Sequence, residues 1–126
     1  MRLQEARALL AAGYPEGAYY LAGYAVECAL KACIAKRTLE HDFPDRDAQK
    51  YYMHDLQKLL LHARLKEELE LAMQVETQLE DSWNIIKNWS EEARYERGKT
   101  IQQAESLIEA TGQGKGGILP WLQQRW

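Results

Sequence analysis

The chain has 126 residues, which suits one hydrophobic core, because two separate halves would each bury too little surface to offset chain entropy. Hydrophobic residues make up 46% and charged residues 28%, which excludes the apolar-poor, charge-rich composition of a disordered chain. The net charge of −3 excludes a domain that grips nucleic acid through a general basic surface, so any such contact must be local or shared with a partner.

Gly13 and Pro15 punctuate the first segment, since glycine suits a left-handed helix end and proline the first turn of the next helix. The spacing predicts helices over residues 2–12 and 15–39. In the second, Leu21, Ala25, Cys28, Ala32, Ala35 and Leu39 recur at steps of four and three, forming a seam that must be covered. Tyr19, Val26, Leu30 and Cys33 mark a second apolar face, as expected of the central helix of a bundle or a dimer. Gly23 is costly inside a helix, by about 1 kcal/mol against alanine, and with Ala22, Ala25 and Ala29 around it points to close helix approach.

Residues 40–50 carry Pro44 and four acids without periodicity and read as a surface loop. A third helix is expected near 51–63, with Met53, Leu56, Leu59, Leu60 and Ala63 on one face. The pattern continues through Leu65, Leu69 and Ala72, and then Leu79, Trp83 and Ile86. Glu76 interrupts the seam and Thr77 with Glu80 spells a capping box, which predicts a break near 75–77. Residues 89–99 lose the repeat and read as an irregular turn. Thr100 with Gln103 offers a second capping box, opening a helix to about 110. After the glycines of 112–117, Ile118, Leu119, Trp121, Leu122 and Trp126 predict a short final helix packed back on the body. No segment alternates as a strand does. The fold class is therefore all-α: an up-and-down bundle of four to five main helices plus a short C-terminal one, in a single domain over 1–126.

The residues with chemical potential have bland alternatives. Cys28 and Cys33 stand five apart in a helix and point in different directions, so they read as buried, inert thiols rather than a disulfide or a zinc site. No metal or cofactor is expected. Gly112 to Gly117 spells G-x-G-x-x-G, but a helix precedes it where a dinucleotide fold needs a strand, so it reads as a linker. His54 and Asp55 open the third helix. Asp55 favours the positive end of the helix dipole, and His54 is placed to hydrogen-bond to a neighbouring helix. Glu27 and Lys31 lie at i and i+4 between two apolar faces, so if buried they must pair with each other or with a polar neighbour. Trp89, Arg94 and Tyr95 cluster on the irregular segment, as groups that stack on a base and grip a phosphate do. They could equally complete the core and tie down the loop.

The stretch from Gly13 to Ala32 (GYPEGAYYLAGYAVECALKA) resembles the characteristic helix of prokaryotic HEPN domains, which is Tyr-rich and Ala-rich and carries a Glu and a Lys. The later pieces His54-Asp55-Leu56, Trp89 through Arg94-Tyr95, and Gly117 to Trp121 are similar to stand-alone HEPN proteins. The resemblance implies a dimerising helical bundle. Many HEPN proteins are metal-independent ribonucleases or toxins with an Arg, four to six residues, and a His on a late helix. Here Arg94 and Arg97 are followed by no histidine, Arg37 and His41 are separated by three residues, and Arg46 and His54 by seven. The resemblance also implies a minimal nucleotidyltransferase as partner, in a toxin–antitoxin type of pair.

These readings lead to a homodimeric module that binds a nucleotide or a partner protein near Glu27, Lys31, Arg94 and Tyr95. The alternative is an unorthodox ribonuclease in which Arg94 stabilises phosphate charge and His54 carries the proton. The absence of a signal-peptide layout at Met1 to Arg7, and of roughly 18 consecutive apolar residues, places the expected protein in the cytoplasm, away from membranes.

Overall fold

Helix α1 (Arg2–Ala11) ends where Gly13 adopts φ +90°, a backbone shape that favours glycine, and helix α2 (Pro15–His41) begins directly after it on a proline. The amides of Gly13 and Tyr14 close that corner on the carbonyls of Leu10 and Leu9. The computed structural model describes residues 2–41, 54–92, 98–112 and 116–126. Five further helices complete them: α3 (Leu56–His62), α4 (Lys66–Val75), α5 (Thr77–Ile86), α6 (Ile101–Gly112) and α7 (Ile118–Gln123), with no strand among the described residues.

At 27 residues α2 is about 40 Å long, and the others assemble on it. Helices α1, α3, α6 and α7 pack against α2, while α5 is held between α4 and α6. Ala18, Ala22, Val26, Ala29, Leu30 and Ile34 are each at most 1% exposed, and they meet buried residues from all the other helices in one contiguous core. Small residues let α2 approach α1 and α6 closely, and Val26, Leu30 and Ile34 fill the space further along.

The opposite side of α2 departs from the expectation of a covered seam. Ala25 is buried and Leu21 half-buried, but Cys28, Ala32 and Ala35 face outward; the side chain of Leu39 lies outside the described residues. Among the described residues nothing buries Cys28, Ala32 and Ala35. Cys28 is accordingly exposed, contrary to the expectation of two buried thiols, whereas Cys33 is buried and donates to the Leu122 carbonyl at 3.8 Å.

The third helix is shorter than the expected 51–63. It starts at Leu56 because the Asp55 side chain accepts from the amides of Gln57 and Lys58 at 2.9 and 3.1 Å, a side-chain N-cap. Met53 and the 42–53 stretch lie outside the described residues. Helix α3 closes with Arg64 at φ +58° and the Leu65 amide on the Leu60 carbonyl, a helix-ending turn in which arginine takes the place usually given to glycine.

The break at 75–77 is present, but the Thr77–Glu80 capping box is not. Glu76 is the N-cap residue of α5 and makes no side-chain cap bond; its carbonyl instead accepts from Leu79 and Glu80. The Thr100–Gln103 box does form, with reciprocal bonds of 2.9 and 3.1 Å. Helix α7 packs back as expected through buried Ile118 and Leu122, although Trp126 stays exposed. Arg125 fastens this end by stacking 3.8 Å over the Trp121 ring and bonding Glu68 of α4 at 3.1 Å. No helix among the described residues is long and apolar enough to cross a membrane.

Candidate functional site

Among the described residues Glu27 is the buried charge: its side chain sits on α2 at 1% exposure, where an unpaired carboxylate would be expensive. Two basic side chains from two elements answer it. The Lys31 ammonium, one turn further along α2, donates to Oε2 at 3.2 Å, and the His54 Nδ1 lies 2.9 Å from Oε1. His54 precedes the α3 cap, so the Asp55 cap that fixes the start of α3 also sets where the imidazole arrives. Its other nitrogen, Nε2, lies 3.1 Å from Glu91 Oε2 on the short 3₁₀ turn at 91–92. Ionised carboxylates only accept, so both contacts are hydrogen bonds only when both ring nitrogens carry hydrogen. Two acids and two bases thus alternate in one chain, joining α2, the entry to α3 and the segment after α5.

Trp89, two residues before Glu91, anchors that segment. Its indole is 2% exposed and occupies the space over Gly23, where a Cβ would overlap the ring. The close approach expected at Gly23 is therefore real, but the neighbour is an indole rather than a helix backbone. Tyr20 flanks the same ring, with centroids 5.9 Å apart. Trp89 completes the core, the blander of its two readings, and its Nε1 has no partner among the described residues.

A cleft of about 420 Å³ opens beside this cluster, lined by His54, Gln57, Lys87, Ser90, Glu91 and Glu92 among others. The structure brings Glu27, Lys31 and His54 together as a unit. Arg94 and Tyr95 lie outside the described residues. Glu91 was not anticipated; nothing in its local pattern sets it apart from Glu92, and only the fold brings it to His54. Among the described residues no group of His, Cys, Asp and Glu is arranged to hold a metal ion.

The thiols differ as their surroundings do. Burial pushes the Cys33 thiol above its ordinary pKa, with Arg125 and Lys36 opposing. Tyr24, one turn before Cys28, has its phenol raised first by the Cys28 thiol beside it, then by burial and by Glu27.

The HEPN domain sequence model matches residues 1–113. This chain belongs to the HEPN family. The matched range contains Glu27, Lys31, His54 and Glu91 and ends before α7, so the C-terminal helix is an addition to the matched region. No curated protein and no solved structure gives a significant match to the chain. HEPN is a family associated with nucleotide- and RNA-related and toxin–antitoxin roles, and its domains often dimerise.

Proposed function

We propose that this HEPN chain, a single domain over residues 1–126, is a homodimeric binding module for a nucleotide or a partner protein, and not a ribonuclease of the family's usual kind. The observation that carries the reading is the outer stripe of α2. Cys28, Ala32 and Ala35 are apolar or weakly polar, small, and uncovered on the longest helix of the protein. Small side chains let a second α2 approach closely, and apolar surface left in water favours such burial. The family's habit of dimerising supports a second copy as the occupant.

The Glu27 cluster supports a binding rather than a catalytic role. Lys31 is engaged by Glu27, and the two ring nitrogens of His54 are engaged by Glu27 and Glu91. Its basic groups are matched by acids, so it positions the 89–92 segment and presents little charge to a phosphate. In this reading the protein is cytoplasmic, and a minimal nucleotidyltransferase in a toxin–antitoxin pair is the partner the family suggests.

Sedimentation equilibrium tests the dimer. The wild type is expected at twice its 14.6 kDa chain mass, and Ala32→Arg at the chain mass. A wild type monomeric at every concentration overturns the reading. One observation favours the enzyme instead: His54 is half-exposed at the cleft and joined through Glu91 to the segment that leads to Arg94. Incubation of the same samples with mixed RNAs decides, because cleavage abolished by Arg94→Ala establishes a ribonuclease, and intact RNA at high protein concentration removes it.

A further inference from the structure

The imidazole of His54 spans two carboxylates that differ in their access to water. Glu27, 2.9 Å from Nδ1, has a side chain 2% exposed and holds Lys31 on its other oxygen. Glu91, 3.1 Å from Nε2, has a side chain 34% exposed. Among the described residues the other charged groups around the ring are Asp55, whose carboxylate caps α3, and Lys87 and Glu92, which share the cleft. Two residues before Glu91 the same segment has an anchor of another kind, the Trp89 indole packed over Gly23, and the Trp89 amide donates to the Ile86 carbonyl at 2.9 Å.

When both ring nitrogens carry hydrogen, each donates to its carboxylate. Loss of one hydrogen leaves a single donor between two acceptors, and burial decides which acceptor keeps it. Glu27 is shut off from solvent, so withdrawing the histidine hydrogen would leave a buried charge with Lys31 alone, whereas Glu91 can be hydrated where it stands. The remaining hydrogen therefore stays on Nδ1, and Nε2 turns a lone pair toward the Glu91 carboxylate, which repels it. We propose that His54 is a pH-sensitive latch: protonated, it holds residues 90–92 against α2, and deprotonated, it releases Glu91 while Trp89 stays packed and serves as the pivot.

Histidine is the side chain that ordinarily changes charge between about pH 5 and 8. The contact is complete where the ring is charged and the carboxylates are ionised, and it is lost as pH rises through the histidine titration. Ser90, Glu91 and Glu92 line the cleft of about 420 Å³, so their release widens that cleft. Neither a dimer nor a bound nucleotide is needed for this, so the latch stands or falls apart from the binding-module reading.

NMR of the full chain, titrated from about pH 5 to 8, tests it. Nitrogen shifts of the His54 ring report its charge and tautomer, and amide hydrogen exchange, divided by its intrinsic pH dependence, reports protection. Protection at residues 90–92 is expected to fall about 5-fold across the His54 titration, the size of a partly exposed ion pair. The Trp89 amide should keep its protection, and the neutral ring should carry its hydrogen on Nδ1. In Glu91→Gln the side-chain amide accepts from a charged ring and donates to a neutral one, so protection there should no longer depend on pH. His54→Gln, whose side chain does not titrate, should remove the dependence as well; if that variant fails to fold, Glu91→Gln with the histidine in place makes the same comparison. The proposal is overturned if protection at 90–92 does not follow the His54 titration, if Trp89 loosens to the same extent, if the neutral ring carries its hydrogen on Nε2, or if Glu91→Gln keeps the wild-type pH dependence.

Discussion

The two faces of α2 have similar helical periodicity and opposite fates. On the inner face Val26, Leu30 and Ile34 are at most 1% exposed among the other helices, whereas on the outer face Cys28, Ala32 and Ala35 meet no other part of the described chain closely enough to be buried. Apolar recurrence thus marks a face that gains from being covered without naming what covers it. The inner face mixes Ala18, Ala22 and Ala29 with the branched Val26, Leu30 and Ile34 that fill space between several helices, whereas the exposed part of the outer face, Cys28, Ala32 and Ala35, carries small side chains alone.

The largest expected effect probes the inner face. Leu30→Ala should cost about 2–5 kcal/mol in denaturant unfolding, through lost burial plus the cavity left behind. Ala32→Ser on the outer face should stay within about 0.5 kcal/mol at concentrations where the chain is monomeric. Equal losses at the two positions would erase the distinction between the faces. A smaller effect is expected at the polar boundary between them. Glu27→Ala strands Lys31 and His54, whose side chains are 23% and 37% exposed, so water takes up part of the lost pairing. About 1–3 kcal/mol of destabilisation is expected, with faster hydrogen exchange in residues 89–92 as its local sign. Loss of stability with unchanged exchange there would show that the cluster does not hold that segment.

What the sequence makes legible is local. The Gly13–Pro15 corner, the Thr100–Gln103 box and the Glu27–Lys31 pair involve residues within one turn of each other, and each is present. The His54 contact was foreseeable in kind, because a histidine beside a capping aspartate at a helix start is carried toward a neighbouring helix. The Thr77–Glu80 box does not form, since the chain turns one residue earlier and the Glu76 carbonyl begins the helix. The place of Glu91 is not legible at all, because only the packed fold brings it to His54. Arg64 at φ +58° likewise sets the α3–α4 corner against the preference of its residue type.

The central claim, that the outer stripe of α2 is the homodimer interface, is tested most directly by the alkylation rate of Cys28 at mildly alkaline pH across a range of protein concentrations. Cys33 is a built-in control, because burial raises its pKa and shields it, so it should stay unreacted while the chain is folded. Cys28 should react readily in dilute protein, become protected as the dimer forms, and remain reactive at every concentration in Ala32→Arg. A chain that doubles in mass while Cys28 reacts at one constant rate would place the interface elsewhere and contradict the account.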